Sequence, residues 1–172
     1  MADLNLGDLF ATCSSAWRLC ARDTYMVDEE GEALAAWRRT GRLTPRPDGW
    51  IEILTEARAR GARFARVQIL RPPLSMYAGY LLAVYEENLG QGEDIRIAVS
   101  QRGPSAEDLP REDFWIFDDA TVALMDYDRD GRFLGVRDAS SSIEAYRRAQ
   151  GAAAAASMPL LEWLSTAPAV GY

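Results

Sequence analysis

The residues of this chain that could do chemistry are carboxylates, tyrosines and arginines. Asp113, Asp118 and Asp119 bracket four apolar residues in Asp113-Phe114-Trp115-Ile116-Phe117-Asp118-Asp119, and Glu93 and Asp94 precede a second apolar stretch. Paired carboxylates suit proton transfer or magnesium binding, and these five would converge if their two strands were neighbours. Arg66, Arg71 and Arg96 are the internal cations able to answer them, which would make the same acids structural ion pairs. Trp17, Trp115, Tyr77 and Tyr80 form a second set. Aromatic walls with a few polar groups are the usual composition of a ligand pocket, and aromatic residues build cores just as well. The ligand-binding candidates drawn from both sets are Arg71, Tyr77, Tyr80, Glu93, Asp94, Arg96, Trp115 and Asp118. No catalytic residue is assigned and no cofactor is expected.

Two absences narrow the chemistry further. There is no histidine, and all 19 basic residues are arginine. Ser-His-Asp and Cys-His catalysis and histidine metal sites therefore lack an essential residue. Schiff-base chemistry lacks its amine, and a Walker-type phosphate loop lacks its lysine. Arginine replaces neither, because its guanidinium stays protonated at any working pH. An enzyme made from this chain would have to use carboxylates, tyrosine, cysteine or a captured cofactor. Cys13 and Cys20 are too few for a zinc site without histidine. They read as small buried hydrophobes in a reducing compartment. Asp126, Asp128, Asp130 and Gly131 match the first half of a calcium loop, but Arg137 stands where the bidentate Glu belongs. That segment reads as a hairpin turn, and no metal site is predicted.

The elements that must position these residues follow from periodicity. The stretch 113–137 reads as a meander of strands 114–117, 122–127 and 133–136, which needs a hydrophobic partner layer. At the N-terminus Asp3 is the candidate cap of a helix reaching about Ala11. A strand is predicted over 14–21, with Trp17, Leu19 and Ala21 on one face. Asp28 opens a helix whose acidic first turn and Arg38-Arg39 last turn suit the macrodipole, with Gly41 as its stop. A loop over 42–49 holds Pro45 and Pro47. Then come a helix over 50–60, stopped at Gly61, and a strand over 62–70 in which Arg66 shares a face with Phe64. Helical spacing returns over 74–89, with Leu74, Tyr77, Ala78, Leu81, Val84 and Tyr85 on one face and Tyr80 off it. The strand 93–100 turns Ile95, Ile97 and Val99 inward and Arg96 the other way. A polar loop, 101–112, contains Pro104 and Pro110. A helix over 140–156, capped by one of the serines 140–142, leads to a short helix over 160–165 begun by Pro159, then a frayed tail. The predicted fold class is α+β (mixed α/β), one domain over 1–172 with a largely antiparallel sheet.

At 172 residues, 48% apolar and 26% charged, the chain is expected to bury an ordinary core without staples. No apolar run reaches the roughly 18 residues of a membrane span. The N-terminal decapeptide has neither the basic nor the apolar region of a secretory signal, so a cytoplasmic location is expected. A net charge of −7 disfavours nucleic acid and anionic membranes as direct partners.

Pro72-Pro73-Leu74-Ser75, Gly92-Glu93-Asp94-Ile95-Arg96 and the motif from Asp113 to Asp119 resemble a large uncharacterised family of actinobacterial proteins of about this length. Its members are often encoded beside helix-turn-helix regulators. The resemblance extends to Ser15-Ala16-Trp17-Arg18-Leu19, Arg66-Val67 and Tyr127-Asp128-Arg129-Asp130-Gly131-Arg132 and covers most of the chain. It implies a regulatory or accessory role, with a helix-turn-helix regulator or a pathway enzyme as protein partner. Family members usually carry an acidic residue just before the helix tyrosine and a basic and an acidic residue shortly after it. Met76, Gly79 and Leu81 stand there instead, as in a divergent copy recruited to a specialised pathway. The first functional expectation is a non-enzymatic accessory or regulatory module that binds a protein partner or a small ligand. The alternative is a small His-independent enzyme of a specialised biosynthetic pathway, using Asp or Glu with Tyr. A third is a homo-oligomeric subunit, such as a homodimer, joined through an exposed face at residues 80–82.

Overall fold

The computed structural model describes residues 4–45, 49–100 and 111–166. The predicted cap Asp3, the centre of the Pro45–Pro47 loop, most of the loop 101–112 and the tail beyond 166 lie outside the described residues. Seven strands form one sheet in the order β6-β5-β4-β1-β2-β3-β7. They are β1 (Ser15–Cys20), β2 (Arg63–Leu70), β3 (Asp94–Val99), β4 (Phe114–Phe117), β5 (Thr121–Tyr127), β6 (Phe133–Asp138) and β7 (Ser157–Pro159). The helices are α1 (Leu6–Thr12), α2 (Gly31–Thr40), α3 (Trp50–Ala59), α4 (Met76–Gly90), α5 (Ile143–Ala155) and α6 (Leu160–Thr166). The α+β class and the three-strand meander predicted from sequence are both present. β1, β2 and β3 run parallel, and the remaining pairings are antiparallel.

The parallel trio explains the layering. The crossovers β1-α2-α3-β2 and β2-α4-β3 step in the same direction across the sheet. Crossovers of one hand that step the same way lay their helices on one face, and α3 and α4 do pack on the face that carries Phe64 and Leu70. That face carries two buried clusters. One gathers Tyr77, Tyr80, Leu81 and Tyr85 of α4 with Leu70, Ile95 and Ile97 of the sheet. The other gathers Leu54 and Ala57 of α3 with Phe64, Trp115 and Phe117, and Phe10 of α1 packs against it. The opposite face is covered by α5, whose Ala153, Ile143 and Tyr146 meet Leu19, Val67, Ile69, Phe114 and Ile116. The sheet is therefore buried on both sides over its centre. No helix among the described residues is long and apolar enough to cross a membrane.

Several local expectations need correction. The helix α1 is capped by Asn5, whose Oδ1 accepts from the Asp8 N–H at 3.2 Å. The serines 140–142 form a 3₁₀ turn, and none caps α5 with its side chain. The Ser140 hydroxyl instead accepts from Val122 N–H at 2.9 Å and donates to Asp138 at 2.5 Å. Residues 80–82 form no exposed oligomer face, because Tyr77 through Leu82 are all buried. A helix apolar on all sides belongs inside. Tyr80, off the face that carries Tyr77, sits edge-on to Trp37 of α2 at 5.9 Å between ring centres. The edge strand β7 has no sequence signal: three residues ending in a proline pair with β3 at the sheet margin, where a proline costs no ladder bond.

Candidate functional site

Side chains alternate along a strand, so Ala16, Arg18 and Cys20 of β1 share the multi-helix face with Phe64, Arg66, Gln68 and Leu70 of β2. Arg18 and Arg66 are register partners across the parallel pair. Two guanidinium-bearing chains thus rise side by side, roughly 4.8 Å apart at the backbone, between the two hydrophobic clusters. Like charges placed so destabilise a sheet unless they are compensated.

Each arginine has its own compensation. Arg66 is 6% exposed, and its Nε donates to Glu93 Oε1 at 2.5 Å. The other oxygen, Glu93 Oε2, accepts from Trp50 Nε1 at 3.2 Å. The Arg66 guanidinium also lies 5.0 Å from the Tyr85 ring centre and 5.4 Å from that of Trp50. Arg18 is placed over Trp115 at 5.5 Å and Tyr25 at 5.8 Å. Its carboxylate, Asp113, stands 3.6 Å from Nη2, an ion pair without a hydrogen bond. The Asp113 oxygens are committed elsewhere, accepting from Ala21 N–H at 2.8 Å and Tyr25 O–H at 2.5 Å. Arg18 Nη2 donates to the Tyr127 hydroxyl at 3.1 Å, and Arg18 Nε has no hydrogen-bond partner among the described residues.

These groups floor a cavity of about 280 Å³. Its walls come from Tyr77, Leu81, Val84, Tyr85 and Asn88 of α4, Trp50 of α3, Met125 and Tyr127 of β5, and Tyr25, Met26, Val27 and Glu30. Met26, Val27 and Phe133 line it while remaining well exposed, and so form its mouth. Burial pushes the phenols of Tyr25, Tyr77, Tyr85 and Tyr127 up from their ordinary value, and for Tyr77 the neighbouring Glu30 carboxylate adds to it. All four are neutral hydrogen-bonding groups at physiological pH. Burial works most strongly against the charge on Arg66, but the Glu93 carboxylate, with Tyr85 and Cys20 beside it, outweighs that penalty and the guanidinium stays protonated. The site is therefore rich in donors and permanent positive charge. Among the described residues Glu30 is the one carboxylate in the lining, where it accepts from Tyr77 O–H at 2.9 Å.

The residues proposed from sequence fall in different places. Tyr77 lines the cavity, while Glu93 and Trp115 stand behind it, each backing one arginine. Tyr80 is buried in the core. Arg71 lies outside, donating to the Ala21 carbonyl at 2.6 Å and pairing with Asp23 at 3.5 Å. Arg96 is on the opposite face, bonded to Ser157 of β7. Asp94 is exposed at the start of β3 and flanks a separate depression with Asp119. Asp118 turns the β4–β5 corner with a left-handed backbone, φ 49°. Its carboxylate accepts from the N–H groups of Ser14 and Ser15 at 2.8 Å each. Asp119 pairs with Arg147 at 2.9 Å.

The five carboxylates do not converge, because β1 and β2 lie between β4 and β3. Asp128 Oδ1 accepts from Asp130 and Arg132 N–H, the hairpin turn expected from the calcium-like motif. Among the described residues no group of three or more acidic, Cys or His side chains could hold a metal ion. Sequence reasoning missed Arg18, Tyr25, Trp50, Tyr85 and Tyr127. The available signal was an arginine midway along each of two apolar strands.

Among curated proteins, none matches the chain. The family model that does match, over residues 5–165, agrees with the resemblance read from its motifs in one respect, that the family is uncharacterised. The chain belongs to the family described as domain of unknown function (DUF6879).

Proposed function

We propose that this domain is a small-ligand-binding module that takes its ligand in the cavity between α4 and the β1–β2 pair. It serves there as an accessory or regulatory component rather than a catalyst. The observation that carries the reading is the lining itself: aromatic walls with several donors converging on one end, which is how small-molecule sites are built. Against the enzyme alternative weighs the position of its candidate acids. Both oxygens of Glu93 are engaged by Arg66 and Trp50, and Asp118 is outside the cavity, holding the start of β1. The four wall tyrosines, with phenols pushed up by burial, are poor proton acceptors at neutral pH. A protein partner, the helix-turn-helix regulator or pathway enzyme implied by the family resemblance, would sense occupancy at the mouth, where Met26, Val27 and Phe133 are exposed.

The test is native mass spectrometry of the chain after exposure to a cell extract, beside a Met125→Trp variant that fills the cavity from β5. The wild type is expected to carry a defined small molecule, and the variant, folded by circular dichroism, is expected to carry none. A wild type that emerges bare, or a variant that binds equally well, would overturn the reading.

A further inference from the structure

We infer that the ligand of this cavity is a small organic oxyanion, a carboxylate or a phosphate monoester, gripped by Arg18, Arg66 and Tyr127 with its apolar body toward the mouth. The inference rests on the cavity being a ligand site and adds what the ligand must be.

Charge is the first argument. Two permanent cations stand in register on neighbouring strands, and neither of the carboxylates behind them is given over to its arginine alone. Asp113 is taken by Ala21 and Tyr25, and Glu93 is shared between Arg66 and Trp50. Among the described residues neither arginine is matched by a bidentate partner, the arrangement guanidinium favours. Arg66 uses its Nε on Glu93, and no hydrogen bond to Glu93 is made by its terminal nitrogens. Arg18 keeps a buried Nε without an acceptor among the described residues. A buried donor left unmatched is costly, and an oxyanion in the cavity is the occupant that removes the cost.

A third donor points the same way. Tyr25, Tyr77 and Tyr85 donate their hydroxyl protons to Asp113, Glu30 and Gln68. Tyr127 accepts from Arg18, and its hydroxyl donates to no group among the described residues, which leaves its own proton for a ligand oxygen.

Polarity also grades along the cavity. Arg66 at its floor is 6% exposed, while Met26 and Phe133 at its mouth are 45% and 47% exposed. An occupant polar at both ends would leave the mouth unmatched, whereas an anion carrying an apolar body satisfies both. At about 280 Å³ the site sits near the lower limit of roughly 300–1,000 Å³ for small-molecule sites, which suits a ring-sized body.

Thermal melts and calorimetry of the full chain with four probes decide the matter: benzoate, phenyl phosphate, the neutral isostere benzamide, and inorganic phosphate. At least one aromatic anion is expected to bind about tenfold or more tighter than benzamide. Phenyl phosphate is expected to outbind inorganic phosphate, and the order of benzoate and phenyl phosphate identifies the headgroup. Arg18→Met is expected to abolish the preference for anions. Tyr127→Phe, which leaves every charge in place, is expected to weaken the anions several-fold and benzamide hardly at all. Benzamide binding as tightly as the anions would overturn the oxyanion and leave the cavity reading standing. Failure of all four probes would sink both.

Discussion

Replacing Glu93 by Gln tests whether the seam between the two hydrophobic clusters is electrostatically closed. The ion pair with Arg66 is 2.5 Å long, and its side chains are 7% and 0% exposed. Stripping one partner from such a buried pair leaves an uncompensated charge and costs about 3–5 kcal/mol. The amide oxygen of Gln still accepts one hydrogen bond, which returns roughly 1 kcal/mol. The expected loss is therefore roughly 2–4 kcal/mol. With an m value of roughly 2 kcal/mol per molar urea, the midpoint falls by about 1–2 M. The assay is equilibrium urea unfolding followed by tryptophan fluorescence and circular dichroism, so that coincident transitions establish two-state behaviour. The double variant Arg66→Met/Glu93→Met removes both charges and is expected to recover most of the loss, because apolar replacement of a buried pair is often near neutral. A single variant that loses less than about 1 kcal/mol, or a double variant no better than the single, would refute this account of the seam.

Three further outcomes are expected. Tyr25, Tyr77, Tyr85 and Tyr127 have phenols pushed up by burial, so above pH about 10 the unfolded chain loses protons that the native chain keeps. Their stabilising contribution is complete below that pH and falls as pH rises, by up to about 1.4 kcal/mol per unit for each group. Ultraviolet titration should show these four ionising only as the protein unfolds, and gradual ionisation of a folded protein would contradict it. Gly131→Ala should lose roughly 1–3 kcal/mol in urea unfolding, since the residue has φ 91° and an added Cβ would lie 2.9 Å from the Thr24 carbonyl oxygen. Calcium should not shift the melting temperature, because Asp126 is held by Arg137 and Asp128 by backbone N–H groups; a concentration-dependent rise would show that a cation competes with those bonds.

Periodicity alone placed the long helices and the meander, since a 3.6-residue or two-residue repeat of apolar side chains needs no knowledge of neighbours. The acidic corner at Asp118-Asp119 was legible as a strand end. Its role in holding Ser14 and Ser15 was not, because those partners lie more than 100 residues away in sequence. Arg66 and Glu93 could each be singled out, one as an internal cation and the other as a candidate acid. Only the parallel register of β2 with β3, which sets Ala65 against Asp94, made them each other's partner. Arg18 shows the limit most clearly. Alternation set it opposite Trp17 and Leu19, the side that faces water when a sheet is covered once. Strand order then put β1 at the sheet's centre, with α5 behind it and the crossover helices in front. The pattern of a strand records which residues share a face; what covers each face is decided by chirality and strand order, which no local repeat encodes.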